Sequence, residues 1–178
     1  MLLFLLSMYQ KFNTNNINKL TQDINIFKIS FSKSGKILGI DSGKRKIGIA
    51  ISDNLKRIAL THKTIFRKKL ALDLLEISNI IKRNNINSIV LGLPLNKDGT
   101  KGPIAQSAIT FGNNLLQKYN LPILLWDERF STIGILREMK QAKIKKYSIE
   151  KNIDAASATW ILQSALDTVN NNIIKNNE

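Results

Sequence analysis

From Lys36 onward, apolar positions along the chain recur first with one period and then with another. ILGID (37–41) is an apolar run closed by a single acid. IGIAIS (47–52) alternates, with Ile47, Ile49 and Ile51 on one face and Gly48, Ala50 and Ser52 on the other, as a strand's period of two requires. Its small face permits close approach by a helix or a ligand. IALTHKTI (58–65) reads as a third strand. Across 68–84 the pattern switches, because Leu70, Leu74, Ile77 and Ile81 recur at four, three and four residues. That spacing predicts a helix. INSIVLGLP (86–94) predicts a strand leading into the loop LNKDGTKG. Pro103 suits the first turn of the next helix, with Ile104, Ala108, Phe111 and Leu115 as its stripe. LPILLW (121–126) predicts another strand, running into DERFST, where Ser131 or Thr132 can cap a short helix over 132–140. The last helix spans 154–170, with Ala158, Leu162, Ala165 and Val169 on one side.

The resulting order, β-β-β-α-β-α-β-α, is an α/β layout that opens on an antiparallel hairpin. Two segments stand outside it. Residues 1–35 are polar and Asn-rich after MLLFLLS and show no convincing period. They are expected to be a flexible extension outside a domain spanning 36–172. REMKQAKIKKYSIEKN (137–152) is basic and lacks a helical stripe. Charge repulsion without burial predicts a mobile arm there, with Lys143, Lys145 and Lys146 as candidate phosphate contacts.

Charge changes the picture more than composition does. With 27 Lys+Arg against 13 Asp+Glu, the 178-residue chain carries a formal charge of +14. Such an excess favours polyanionic partners, chiefly nucleic acid. There are no cysteines and one histidine, His62. A thiolate metal site is therefore impossible, and zinc or Ser-His-Asp chemistry would rest on His62 alone. Any catalytic metal should be a hard cation held by carboxylates, Mg²⁺ or Mn²⁺, as one or two ions. No apolar run approaches the roughly 20 residues of a membrane span, and MLLFLLS lacks the features of a signal peptide. A cytosolic protein without membrane contact is expected.

Three acids stand at comparable places. Asp41 follows the first strand, Glu128 follows ILLW between Asp127 and Arg129, and Asp154 opens the last helix. In an open α/β sheet the carboxyl ends of strands form the crevice where ligands bind. Acids converging there can hold one or two divalent ions for phosphoryl displacement. Each acid also has a plainer reading. Asp-Ser-Gly is good turn chemistry, Asp127 and Glu128 can pair with Arg129 at the surface, and Asp154 can cap its helix. Lys44 and Arg45, in the hairpin turn, and Arg129 are candidate phosphate contacts, with solvated charges as the alternative.

ILGIDSGKRKIGIAISD, IVLGLPLNKDGTKGPIAQSAITFGNNL, LPILLWDERFST and IDAASATWILQSALD together resemble the YqgF/RuvX family, over about residues 36–170 in unbroken order. The resemblance implies a ribonuclease H-like fold, a mixed five-stranded sheet whose second strand is antiparallel, with helices on both faces. It implies metal-dependent endonuclease activity in maturing the 5′ end of pre-16S ribosomal RNA. The family's three acids carry over to Asp41, Glu128 and Asp154 as catalytic metal ligands. Asn96 and Gly99 fall in a loop beside the same cleft, with Asn96 a candidate nucleic-acid contact. Ser42 and Ala155 depart from the family pattern, and the N-terminal extension has no counterpart. The partner expected is pre-rRNA, bound by a monomer or weak dimer. A junction-resolving DNA nuclease and a non-catalytic RNA-binding assembly factor remain the other readings.

Overall fold

The computed structural model describes residues 19–31, 34–130 and 153–175. In chain order the elements are β1 (Leu20–Thr21), α1 (Ile24–Phe31), β2 (Lys36–Ser42), β3 (Lys46–Ser52), β4 (Ala59–Phe66), α2 (Leu70–Arg83) and β5 (Ile86–Leu93). They continue with α3 (Pro103–Tyr119), β6 (Ile123–Asp127), a 3-10 turn (Glu128–Phe130) and α4 (Ile153–Lys175). The sheet order is β1-β6-β5-β2-β3-β4. Among the described strands only β3 runs against the rest, paired antiparallel with β2 and β4, while β2, β5, β6 and β1 are parallel. The ribonuclease H-like mixed sheet implied by the family resemblance is present, widened by one short edge strand. The expected helix over 132–140 and the arm at 137–152 lie outside the described residues.

Two apolar layers sandwich the sheet. Leu38, Ile40, Ile47, Ile49, Leu91 and Leu125 pack under α2 and α3, against Ile77, Ala108, Phe111 and Leu115. On the other side Ile37, Ala50, Val90, Leu124 and Trp126 meet Phe27 of α1 and Ala158, Ile161, Leu162 and Ala165 of α4. The strand period of two sorts the residues between layers, as a sheet buried on both faces requires. The small face of β3 takes α4, and Gly39 of β2 takes a close approach. A Cβ there would lie 2.7 Å from Leu162 Cβ and 3.0 Å from the Ala158 carbonyl oxygen. On the opposite side, the Tyr119 hydroxyl joins α3 to α2 by donating to the Leu74 carbonyl, and burial pushes its pKa up to about 12.

Residues 20–27, expected outside the domain, lie against it. Leu20 pairs with Ile123 and Thr21 with Leu124, and Phe27 is 2% exposed in the α4-side layer. The segment is too short for a period to register: β1 has two residues, and Ile24 and Phe27 are a single helical repeat in an Asn-rich context.

Candidate active site

Three strand ends and one helix start meet at the carboxyl end of the sheet. Leu38 and Ile40 point into the α2/α3 layer, so alternation along β2 puts Asp41 on the α4 side. Asp41 pairs with Gly48 of β3. On its other flank Ile40 pairs with Leu91 of β5, so the next step along both strands sets Asp41 beside Gly92. Val90 belongs to the α4-side layer, and Gly92 therefore faces α4 as well. β6 follows β5 in the sheet, with Trp126 paired to Gly92 and Asp127 to Leu93.

Glu128 occupies the space Gly92 leaves. It opens the 3-10 turn after β6, is 3% exposed, and has both carboxylate oxygens shielded from solvent. A Cβ on Gly92 would stand 2.5 Å from Glu128 Oε1 and 2.7 Å from Ile161 Cδ1. The carboxylate thus lies over the one position between β2 and β6 that has no side chain, under α4 and next to Asp41.

The direction of α4 brings its start to the same place. Thr159 Oγ1 and Thr61 Oγ1 are 2.9 Å apart, and the Ala59 N–H donates to Gln163 Oε1 at 2.8 Å. Higher helix numbers meet lower strand numbers, so α4 runs antiparallel to β4 and β2. Thr61 is level with Ala50. Five residues of helix from 159 back to 154 cover about 7.5 Å, or about two strand residues. That reaches the level of Gly48, the partner of Asp41. Four residues before Ala158, position 154 also shares that residue's face of the helix. The side chain of Asp154 lies outside the described residues.

Asp127 and Arg129 turn the other way. The Arg129 backbone N–H donates to Asp127 Oδ1 at 3.0 Å, and its Nε and Nη2 reach Asp127 Oδ2 at 3.1 and 2.8 Å. The hydrogen bond and charge of Asp127 hold the guanidinium pKa above its usual value. Arg129 lies over the 96–100 loop, where a Cβ on Gly99 would meet its Nη1 at 3.0 Å. Within that loop Asn96 Nδ2 donates to Thr100 Oγ1 at 2.8 Å. The Thr100 hydroxyl and N–H lower the Asp98 carboxyl, with Arg129 adding to the effect. Asn96 is therefore exposed but committed to its own loop. Lys44 and Arg45 are exposed in the β2–β3 turn, at the same end of the sheet. Lys143, Lys145 and Lys146 lie outside the described residues.

The family model described as "RuvX: Holliday junction resolvase" matches residues 35–168. The chain belongs to the RuvX family. A relative from Rhodobacter capsulatus named "Putative pre-16S rRNA nuclease" is 40% identical over 141 residues, 79% of this chain and 89% of its own. A relative of the same name from Zymomonas mobilis is 35% identical over 153 residues, 86% of this chain and 93% of its own. A solved structure of Thermus thermophilus RuvC in complex with a Holliday junction substrate aligns with a TM-score of 0.48 and 9% identity, covering 78% of this chain and 96% of that one. As a member of the RuvX family this chain is a nuclease, a hydrolase of phosphodiester bonds.

The donor set fits a hard divalent cation. Asp41 and Glu128 supply carboxylate oxygens on one face, and the bare Gly92 backbone lets the Glu128 carboxylate seat there. Among the described residues no group of three His, Cys, Asp or Glu side chains stands together, so a third carboxylate donor would come from outside them, and Asp154 at the start of α4 is the candidate. Gly92 and Asp127 were not apparent as site residues from sequence. The signals were a glycine at the apolar end of β5 and an acid two residues before an arginine.

Proposed function

We propose that this chain is a divalent-metal-dependent endonuclease that matures the 5′ end of pre-16S ribosomal RNA, with Asp41, Glu128 and Asp154 as its metal-holding acids. The observation that carries the reading is the seating of the Glu128 carboxylate over Gly92, beside Asp41 and under α4. Two carboxylates brought together on one face offer oxygen donors to a hard divalent cation, which Glu128 and Asp41 would share. Mg²⁺ or Mn²⁺, as one or two ions, would supply a nucleophile from water and polarise the scissile phosphate.

The chain's own residues do the rest. Glu128, fixed by the surrounding apolar layer, keeps its oxygens oriented in a low-dielectric setting where charge acts strongly. Arg129, held by Asp127, sets a guanidinium charge over the 96–100 loop, where it would attract a phosphate. Lys44, Arg45 and the arm carrying Lys143, Lys145 and Lys146 attract the backbone without reading sequence. No helix among the described residues is long and apolar enough to cross a membrane, and the reading places the protein in the cytoplasm as a monomer or weak dimer.

A four-way DNA junction is the second substrate reading, favoured by the family's description. The test is cleavage of pre-16S RNA and of a DNA junction by wild type and Asp41→Asn with Mg²⁺. Cleavage of the RNA by wild type alone supports the proposal, cleavage of the junction alone supports the second reading, and cleavage of neither leaves a non-catalytic assembly factor.

A further inference from the structure

At the end of the sheet that holds Asp41, the free edge carries an exposed aromatic ring among cations. Phe66 closes β4, the outermost strand, and is 66% exposed. Lys46 Nζ lies 5.5 Å from its ring centroid, within cation–π range. The corner that follows is firmly built. The Arg67 N–H donates to the Arg45 carbonyl at 3.0 Å, and Arg67 Nη1 donates to the Gly43 carbonyl at 3.2 Å. Asp73, 2% exposed, accepts from Lys68 N–H at 3.0 Å and pairs with Arg67 Nε at 3.4 Å. Arg67 and Asp73 thereby tie the 66–69 corner to the 43–46 turn, so the exposed Lys44, Arg45, Lys68 and Lys69 lie on the two joined segments that flank Phe66. Among the described residues no carboxylate forms an ion pair with any of these four. The buried acid fixes the corner. Beside the ring, an open groove of about 230 Å³ is lined by Lys68, Leu72, Leu75, Glu76 and Asn79.

We propose that this ridge is a subsite for an unpaired stretch of the nucleic acid, with Phe66 stacking a base and Lys44, Arg45, Lys68 and Lys69 contacting the flanking phosphates. Cationic tracks with exposed aromatic rings are how single strands are held, because every base has a π-face. A duplex hides those faces and cannot use Phe66. The substrate class follows from position, in a step that rests on the reading of Asp41 and Glu128 as the cleavage centre. Phe66 is two strands from Asp41 and two residues further along, about 12 Å by sheet spacings. This selects RNA that is unpaired within a few nucleotides of the scissile phosphate.

The test is fluorescence anisotropy with the full chain, in EDTA, on a labelled unpaired RNA and on the same strand closed into a duplex. Binding is read without cleavage, so the outcome stands whether or not the acids are catalytic. Phe66→Ala should weaken binding of the unpaired RNA by about fivefold to a hundredfold and leave duplex binding unchanged, while Phe66→Trp should restore it. Lys68→Ala with Lys69→Ala should lower the slope of log affinity against log salt by about 1.4 on the unpaired RNA. Lys82→Ala with Arg83→Ala, an equal charge loss at the far end of α2, should leave it unchanged. All these side chains are exposed, and Phe66→Leu, apolar but unable to stack, serves as a second variant with the same expected loss. Wild-type affinity in both Phe66→Ala and Phe66→Leu, an equal loss on both probes, or equal flattening by the Lys82/Arg83 pair overturns the proposal.

Discussion

Replacing Gly92 by alanine tests the site through a single methyl group. The new Cβ would lie 2.5 Å from Glu128 Oε1 and 2.7 Å from Ile161 Cδ1, whereas relaxed non-bonded contacts begin near 3.5 Å. Relief therefore needs about 1 Å of movement. Ile161 and Glu128 are both enclosed, at 0% and 3% exposure, and the shorter contact is with Glu128, so its carboxylate must take part of that shift. Misplacing a reacting group by about 1 Å lowers the rate by about 10²-fold. Overpacking should also cost about 1–3 kcal/mol, which for a chain of this length is about 2–12 °C in Tm. The assay is single-turnover cleavage of pre-16S RNA with Mg²⁺, run beside thermal unfolding. Gly112→Ala is the control: its Cβ would meet Leu91 Cδ2 at 3.1 Å on the opposite side of the sheet, and activity should hold. A folded Gly92→Ala cleaving at the wild-type rate would refute the placement of Glu128 at the reacting centre.

Other outcomes follow from the same geometry. Cleavage should need Mg²⁺ or Mn²⁺ and survive a zinc-selective chelator, since the chain has no cysteine and one histidine; undiminished activity in excess EDTA would end the metal reading. Changing Lys143, Lys145 and Lys146 together to alanine should flatten the salt dependence of RNA binding by about 2 log units per log unit, with cleavage of saturating substrate little changed; an unaltered slope removes the arm from the binding surface. Stability should fall on acidification through the Asp53 carboxyl at the β3–β4 turn. Burial raises its pKa, but the N–H groups of Ile58, Arg57 and Leu55 outweigh that and leave it below 3.8. A depressed carboxyl contributes stability above its unfolded pKa, lost as pH falls through the folded value. Chemical denaturation of Asp53→Asn should show a flatter profile below about pH 4 than wild type, and identical profiles would contradict this.

What sequence made legible here was periodic. The alternation of Ile47 to Ser52 reported a whole strand, because burial on a face repeats with the backbone; the spacing from Leu70 to Ile81 reported a helix, although Leu70 is exposed and burial falls on Ile77 and Ile80. The surroundings of Asp41 followed from the same logic, since strand ends gather at one edge. The DER motif was only half legible. Asp127 and Arg129 do pair as surface residues, yet Glu128 between them turns inward over Gly92, and no local pattern states which neighbour goes inside. Leu20–Thr21 and Phe27 escaped because their packing depends on partners about a hundred residues away in β6. The Arg67–Asp73 corner escaped for a similar reason: a lysine-rich run reads as solvated until a buried carboxylate is seen to fix it.

Glu128→Gln, which preserves shape and removes the charge, tests the metal-holding centre most directly. Single-turnover cleavage of pre-16S RNA should be followed across a Mg²⁺ titration for wild type and variant, with RNA binding and thermal unfolding confirming that both are folded. Wild-type cleavage should saturate with Mg²⁺, and the variant should bind RNA yet leave it uncut at every concentration. Cleavage by a folded Glu128→Gln at the wild-type rate would contradict the assignment of this carboxylate to the metal-holding centre.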